Sequence, residues 1–258
     1  MGTTQKKGYR PDDNRDDILE GRNTVIEALK SNRTIEYIMV SNGEKNGTII
    51  DILRIAKDKD IIIKKVDKRK LDNMSKSGNH QGVIAITTPY DYCSVEDILE
   101  YAREKEEEPF IIILDEIEDP HNFGSIIRTA EISGVHGIII PKRRSVGVNQ
   151  TVYKCSVGAA EYVKVAKVTN LNDTIDYLKE QGIWVYGADM KGEDYCFNVN
   201  FSGPVALVIG NEGKGISRLT KEKCDVLVKI PMKGKINSLN ASVAGGIMMY
   251  EILKQRLI

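Results

Sequence analysis

The chain has 258 residues, 41% of them hydrophobic and 29% charged, enough for one large domain or two small ones around a real core. No apolar run approaches the roughly 20 residues that a membrane span needs. Lys plus Arg and Asp plus Glu each number 37, so the net charge is zero and strong nonspecific nucleic-acid binding does not follow from it. Any RNA or DNA contact has to use local basic patches.

Residues 1–17, "MGTTQKKGYRPDDNRDD", are polar and lack the apolar core of a secretory signal; they read as a flexible N-terminal tail. Lys6 stands where a myristoylation signal wants Ser or Thr. Cys93, Cys155, Cys196 and Cys224 form no C-x-x-C pair, and His80, His121 and His136 do not approach a zinc-site spacing. The expectation is a reduced, cytoplasmic protein without structural metal.

From 18 to 90 helical and extended patterns alternate. "NTVIEALKSN" (23–32) has helical spacing, with Asn23 as a cap. "TIEYIMV" (34–40) reads as a strand. In "TIIDILRIAKD" (48–58), Ile49, Ile52, Leu53 and Ala56 share a helical face. "DIIIKKV" (60–66) is a strand, "KRKLDNMS" a short helix and "QGVIAITT" (81–88) a last strand. This makes a small α/β unit of about 75 residues. A linker helix follows over 91–108, with Ser94 opening a capping box near Glu96 and Asp97 and a solvated charge run at its end.

Beyond Pro109 the strands are continuous apolar runs: "FIIILDEI", "HGIIIP", "GIWVYGA", "PVALVIG" and "DVLVKIP". Runs apolar on both faces belong to a parallel sheet covered by helices on each side. Helices over 124–133, 172–181, 215–223 and 241–256 alternate with them, so 109–258 reads as one α/β domain. Because chain knots are rare, pattern alone predicts an ordinary open, doubly wound sheet. No internal repeat is visible.

Ligands of open α/β sheets bind beyond the carboxyl ends of the strands. Four loops leave such ends: "EDPHNFGS", "GADMKGED", "GNEGKG" (210–215) and "PMKGKINSLNAS" (231–242). Each also has a plain structural reading. The glycines of "GNEGKG" either bring backbone N–H groups to a ligand or make a tight turn, and Glu212 is either functional or solvated. In "SLNAS", Ser238 or Asn240 can cap the following helix. Gly245 and Gly246 inside that helix point to close approach of another backbone, such as one across a subunit interface. On a helix starting near Gly124, Ile126, Ile127, Ala130 and Gly134 share a face and Arg128 falls opposite, with Glu131 at i+3. That window alone reads as a cap plus a solvent-facing Arg–Glu pair, with His121 either a general base or a surface residue.

Taken together, "LDEIEDPHNFGSIIRTAEISGVHGIII", "ALVIGNEGKGIS" and "IPMKGKINSLNASVA" resemble the three motifs of the SpoU/TrmH branch of the SPOUT methyltransferases. The likeness spans most of 109–258 and shows no departure at the motif positions. It implies a knotted domain: a mostly parallel sheet flanked by helices, tied into a C-terminal trefoil knot. It implies a homodimer with the site at the interface, and methyl transfer from S-adenosyl-L-methionine to a ribose 2′-hydroxyl of RNA. By matching position it makes Asn122, Arg128, Glu212, Ser238 and Asn240 catalytic. It makes Gly187, Ala188, Gly210, Ile230, Met232 and Leu239 cofactor contacts.

The 18–90 unit resembles the ribosomal-protein-like RNA-binding domain of the rRNA-modifying members. The nearest likeness is to the bacterial enzymes that methylate a guanosine of 23S rRNA, which favours 23S rRNA over tRNA. Arg143 and Arg144 in "RRSVG", and Lys68 and Arg69 in "KRK", are then RNA contacts or else solvated basic faces. In-line transfer from a sulfonium needs alignment and loss of the hydroxyl proton, and no metal. Arg128 either removes that proton or, as a cation, stabilises the alkoxide; a guanidinium is a poor base. The rival readings are an enzyme using "GNEGKG" as a phosphate loop, the same chemistry on tRNA, and a non-catalytic RNA-binding factor.

Overall fold

In the computed structural model, residues 18–257 are described apart from 32, 34, 44–46, 60, 88, 89 and 237; the expected tail over 1–17 lies outside the described residues. Seven elements come first. They are β1 (Ile18–Glu20), α1 (Arg22–Lys30), β2 (Ile35–Ser41), α2 (Gly47–Asp58), β3 (Ile62–Val66), α3 (Lys68–Met74) and β4 (Val83–Thr87). They build a four-stranded sheet of order β1-β4-β2-β3, with β4 antiparallel to both neighbours and β2 parallel to β3. α2 buries Ile49, Ile52 and Ala56 at helical spacing. Asn23 is not the cap of α1: the helix opens one residue earlier, after Gly21, whose φ of 93° suits a residue without Cβ.

α4 (Val95–Glu104) starts at a capping box in which the Ser94 hydroxyl accepts from the Asp97 amide and the Asp97 carboxylate accepts from the Ser94 amide. Glu96 takes no part in it. The rest of the chain contributes β5 (Phe110–Asp115), α5 (Pro120–Ile132), β6 (Gly137–Pro141), α6 (Gln150–Cys155), β7 (Lys164–Val168), α7 (Leu171–Glu180) and β8 (Trp184–Ala188). It ends with β9 (Asp194–Tyr195), β10 (Val205–Gly210), α8 (Arg218–Lys223), β11 (Val226–Lys229) and α9 (Ala241–Arg256). The seven strands form one all-parallel sheet of order β7-β6-β5-β10-β8-β11-β9. An ordinary doubly wound order would place β8 beside β5. Here β10 takes that position and β8 lies between β10 and β11.

The continuous apolar runs follow from burial on two faces. Phe110, Ile112 and Leu114 of β5 join one core cluster with Phe123, Ile126, Ile127 and Met248 of α5 and α9. Ile111 and Ile113 join another with Ile98, Leu99, Ile175 and Leu178 of α4 and α7. Successive strand side chains point to opposite faces, so both must be apolar. Among the described residues of this chain, Gly245 meets side chains rather than a neighbouring backbone. A Cβ there would lie 2.7 Å from Ile209 Cδ1, so its absence lets α9 lie close on β10. A Cβ on Gly246 would make only ordinary contact, 3.8 Å from Thr129 Cγ2.

The first core cluster continues into the N-terminal sheet through Leu19, Val25, Leu29 and Ile38. Polar contacts stitch the same boundary: Lys154 pairs with Glu20 at 3.1 Å, Arg33 lies 3.6 Å from Glu161 and stacks over Tyr153, and Tyr162 donates to Glu27. Glu20 is buried, which alone would raise its pKa. Hydrogen bonds from Ser77, Ser75 and the Lys76 amide outweigh that and hold it at about 2. A depressed carboxylate stabilises fully above its ordinary value of 4.5 and loses that contribution as pH falls towards about 2. The urea midpoint of wild type should therefore fall between pH 5 and pH 3 more steeply than that of Glu20→Gln, and equal slopes would refute this role. Among the described residues, no helix is long and apolar enough to cross a membrane, and no group of three or more His, Cys, Asp or Glu is placed to hold a metal ion.

Candidate active site

The "DPHNFGS" window is helix rather than turn. Pro120 takes the first helical position, and the Asp119 carboxylate accepts from the His121 amide at 2.8 Å. α5 thus begins a full turn before the expected Gly124. Asn122 falls in its first turn and is buried, while Gly124 lets α6 approach: a Cβ there would lie 2.4 Å from Cys155 Cβ.

Three sequence-distant residues meet here. Asn122 Nδ2 donates to Glu212 Oε1 at 2.9 Å, and Asn240 Nδ2 donates to Asn122 Oδ1 at 2.9 Å and also to Glu212 Oε1. Asn240 is at once the N-cap of α9. Its Oδ1 accepts from the amides of Ser242 (3.0 Å) and Val243 (3.2 Å) and from the Ser242 hydroxyl at 2.6 Å. Because backbone donors fix the oxygen end, the NH2 end must face Glu212 and Asn122. The capping reading and the site reading are both realised by one amide.

Glu212 sits at the tip of a closed loop. Asn211 and Gly215 exchange backbone hydrogen bonds at 3.1 and 2.8 Å, and Asn211 Oδ1 accepts from the Gly213 amide at 2.9 Å. The Lys214 amide also points at Asn211 Oδ1, at 3.4 Å. The N–H groups of Gly213, Lys214 and Gly215 are therefore turned inward, which counts against a phosphate-cradling loop. The loop returns so tightly that a Cβ on Gly210 would lie 2.2 Å from Gly215 C. Asn211 Nδ2 ties it to the Glu116 carbonyl, just past β5, at 3.0 Å.

A cleft of about 450 Å³ opens beside this loop. Of the expected cofactor contacts, Ala188, Gly210, Ile230, Met232 and Leu239 line it, together with Glu212 and Ser238. Gly187 lies beneath, where a Cβ would sit 2.7 Å from Leu227 Cδ2 and 3.0 Å from Cys224 Sγ. The walls fit an adenosine group. Val228, Ile230, Leu239 and Ala244 offer apolar faces for a base.

The sequence model described as "SpoU rRNA Methylase family" matches residues 109–250, and that described as "RNA 2'-O ribose methyltransferase substrate binding" matches 18–93. The chain belongs to the SpoU rRNA Methylase family. Among similar proteins, one of Bacillus subtilis (strain 168), named as a TrmH family tRNA/rRNA methyltransferase, YacO, is 50% identical over 240 residues. These are 93% of this chain and 96% of that protein. A Staphylococcus haemolyticus (strain JCSC1435) protein of the same family name is 48% identical over 241 residues, 93% of this chain and 96% of its own. Among solved structures, the SpoU methyltransferase AviRb from Streptomyces viridochromogenes superposes with a TM-score of 0.78 at 25% identity, covering 93% of this chain and 89% of that one. AviRb in complex with the cofactor AdoMet gives 0.79 at 24% identity, covering 97% and 95%, a likeness of fold.

The remaining expected residues of this SpoU chain lie elsewhere. Arg128 is exposed on α5, outside the cleft lining, and makes no hydrogen bond or ion pair among the described residues; the expected pair with Glu131 is not formed. Arg144 pairs with Glu116 at 3.0 Å, and both have positive φ, 56° and 58°. Through the Glu116 carbonyl this pair touches the Asn211 loop, so Arg143 and Arg144 are on the cleft side of the sheet. Lys68 and Arg69 lie on α3, in the N-terminal unit. His121 Nδ1 is 3.2 Å from Cys155 Sγ. Burial, with the nearby Asp119 charge, pushes the Cys155 thiol up, so it is no activated nucleophile. Sequence reasoning missed Asp189, Lys191 and Lys221, which also line the cleft. The "GADMKGED" loop was the available signal for the first two; a lysine inside a short helix gives none.

Proposed function

We propose that this chain transfers a methyl group from S-adenosyl-L-methionine to the ribose 2′-hydroxyl of a nucleotide in ribosomal RNA, with a guanosine of 23S rRNA favoured over tRNA. The observation that carries this is the hydrogen-bonded set Asn122–Glu212–Asn240, one residue from each of three motifs, on the rim of an adenosine-sized cleft. When bound, the cofactor supplies a methyl group already activated on a sulfonium.

The chain's own residues then have to place the hydroxyl and manage its charge. Glu212, fixed by two amides, orients the ribose or the loop that carries Ser238. Arg128 acts as a cation: it is exposed on α5, and a guanidinium there stabilises developing alkoxide and an adjacent phosphate. Gly210, Ile230, Met232 and Leu239 hold the adenosine end.

Residues 18–90 would grip RNA with Lys68 and Arg69, and Arg143 and Arg144 would meet it nearer the cleft; 91–108 would link this unit to a catalytic domain over 109–258. The order β5-β10-β8-β11 supports a trefoil knot in the C-terminal part, and Val243, Ile247 and Tyr250, an exposed apolar stripe along α9, support a homodimer paired through that helix; we place this dimer in the cytoplasm.

Incubation with methyl-labelled S-adenosylmethionine and unmodified 23S rRNA or tRNA, followed by mapping of the label, tests the reading. Label on a ribose of 23S rRNA is expected. Label on a base would refute ribose transfer, and label on tRNA alone would refute the rRNA assignment.

A further inference from the structure

One polar pair in the cleft has no part in the scheme above. Asp189, immediately after β8, has a side chain only 6% exposed, and its Oδ2 is 2.5 Å from Lys221 Nζ on α8. Its Oδ1 accepts from the Lys191 amide at 2.9 Å. Both Asp189 and Lys221 line the cleft, among mostly apolar neighbours. An ionised carboxylate offers about four acceptor positions. Two are used, leaving two free.

We infer that Asp189 reads the vicinal hydroxyls of the cofactor's ribose; this rests on the cleft being the S-adenosylmethionine site. Charge decides which part of the cofactor it takes. The ligand carries a sulfonium and an ammonium, and a carboxylate already neutralised by Lys221 has little left to offer a second cation. Neutral hydroxyls need only the spare lone pairs. Position agrees. Asp189 lies against the closing end of the loop, where a Cβ on Gly215 would be 3.7 Å from Asp189 Oδ2. Glu212, at the tip, reaches the other way, towards Asn122 and Asn240. The methyl belongs at the Glu212 end, and the ribose behind it. A carboxylate just past a strand end that accepts from a ribose hydroxyl is an arrangement other α/β folds use.

Calorimetric binding of S-adenosylhomocysteine and its 2′-deoxy and 3′-deoxy analogues to the full chain tests this without any turnover. Wild type should bind the parent at least about tenfold more tightly than either analogue, the scale of a hydrogen bond to a charged group. In Asp189→Asn the parent should weaken about tenfold and the gap to the analogues should close. Analogues that bind wild type as tightly as the parent would overturn the inference. So would an equal loss for all three ligands in Asp189→Asn, which would make the pair only a clip between the β8 loop and α8. If that variant does not fold, the wild-type analogue series decides alone. Failure of wild type to bind even the parent would overturn the cleft reading as well, a result distinct from tight binding without discrimination.

Discussion

Arg128→Ala should lower the single-turnover rate of methyl transfer by at least about a thousandfold, with S-adenosylhomocysteine affinity unchanged within about twofold. The split follows from place. Arg128 projects from the exposed side of α5 and lines no part of the cleft, so its loss removes nothing that touches the adenosine end. On the proposed mechanism, what it removes is a cation where an alkoxide develops. Donors aimed at such charge are worth about 3–4 kcal/mol each, and a charged, forked donor sits at the upper end. Arg128→Lys should recover only part of the rate, because lysine keeps the charge and loses the two-pronged geometry. Rapid-quench transfer assays and calorimetry on the same preparations measure both halves. A rate within tenfold of wild type in Arg128→Ala would remove Arg128 from the chemistry.

Gly210→Ala should have the opposite signature, weakening cofactor binding rather than transfer alone. A methyl group at 210 would lie 2.2 Å from Gly215 C, 2.2 Å from Ile216 N and 2.4 Å from Gly215 O. These are backbone atoms, so no side-chain rotation relieves the clash. The returning limb of the loop has to move, and the Asn211–Gly215 bridge has to open with it. Overpacking of this kind costs about 1–3 kcal/mol. Most of that strain falls on the cleft wall, so affinity for S-adenosylhomocysteine should drop by about tenfold to a hundredfold, with a smaller change in the urea midpoint. Unchanged affinity would show that the loop's closure is irrelevant to the ligand.

How far the sequence carried the fold depended on burial. β5, β6, β8 and β10 were legible because both of their faces are covered, and β11 because its run is apolar, although only Val228 is fully buried. β7 was missed: "KVAKV" has lysines at 164 and 167, and this edge strand buries only Val165 and Ala166 fully. α6 was missed because six residues are too few to show a period, although Asn149 caps it. The start of α5 was misplaced because "EDPHNFGS" reads as a loop up to Gly124, while Asp119 and Pro120 are the operative signals. Strand order was beyond local pattern altogether. Nothing in "PVALVIG" says that it will lie between β5 and β8, since partners are chosen by tertiary packing. The site was legible residue by residue only as alternatives. Asn240 looked like a cap or a catalytic group, and an amide with two chemically different ends is able to be the first and to join the site cluster. Lys221 could not be found, because its meaning comes from Asp189, thirty-two positions away.

One core cluster runs beneath both sheets, with Leu19, Leu29 and Ile38 in the same cluster as Phe123 and Ile127. The N-terminal unit is therefore no tethered arm that searches for its target while the cleft waits. It is one jaw of a caliper, set at a fixed opening by packed side chains. If that jaw holds RNA as proposed, it presents to the cleft only the ribose lying at the caliper's span, and the choice of nucleotide becomes a matter of distance measured along folded RNA. Loosening the joint at Glu20 and Lys154 would then blur which ribose is chosen before it slowed the reaction.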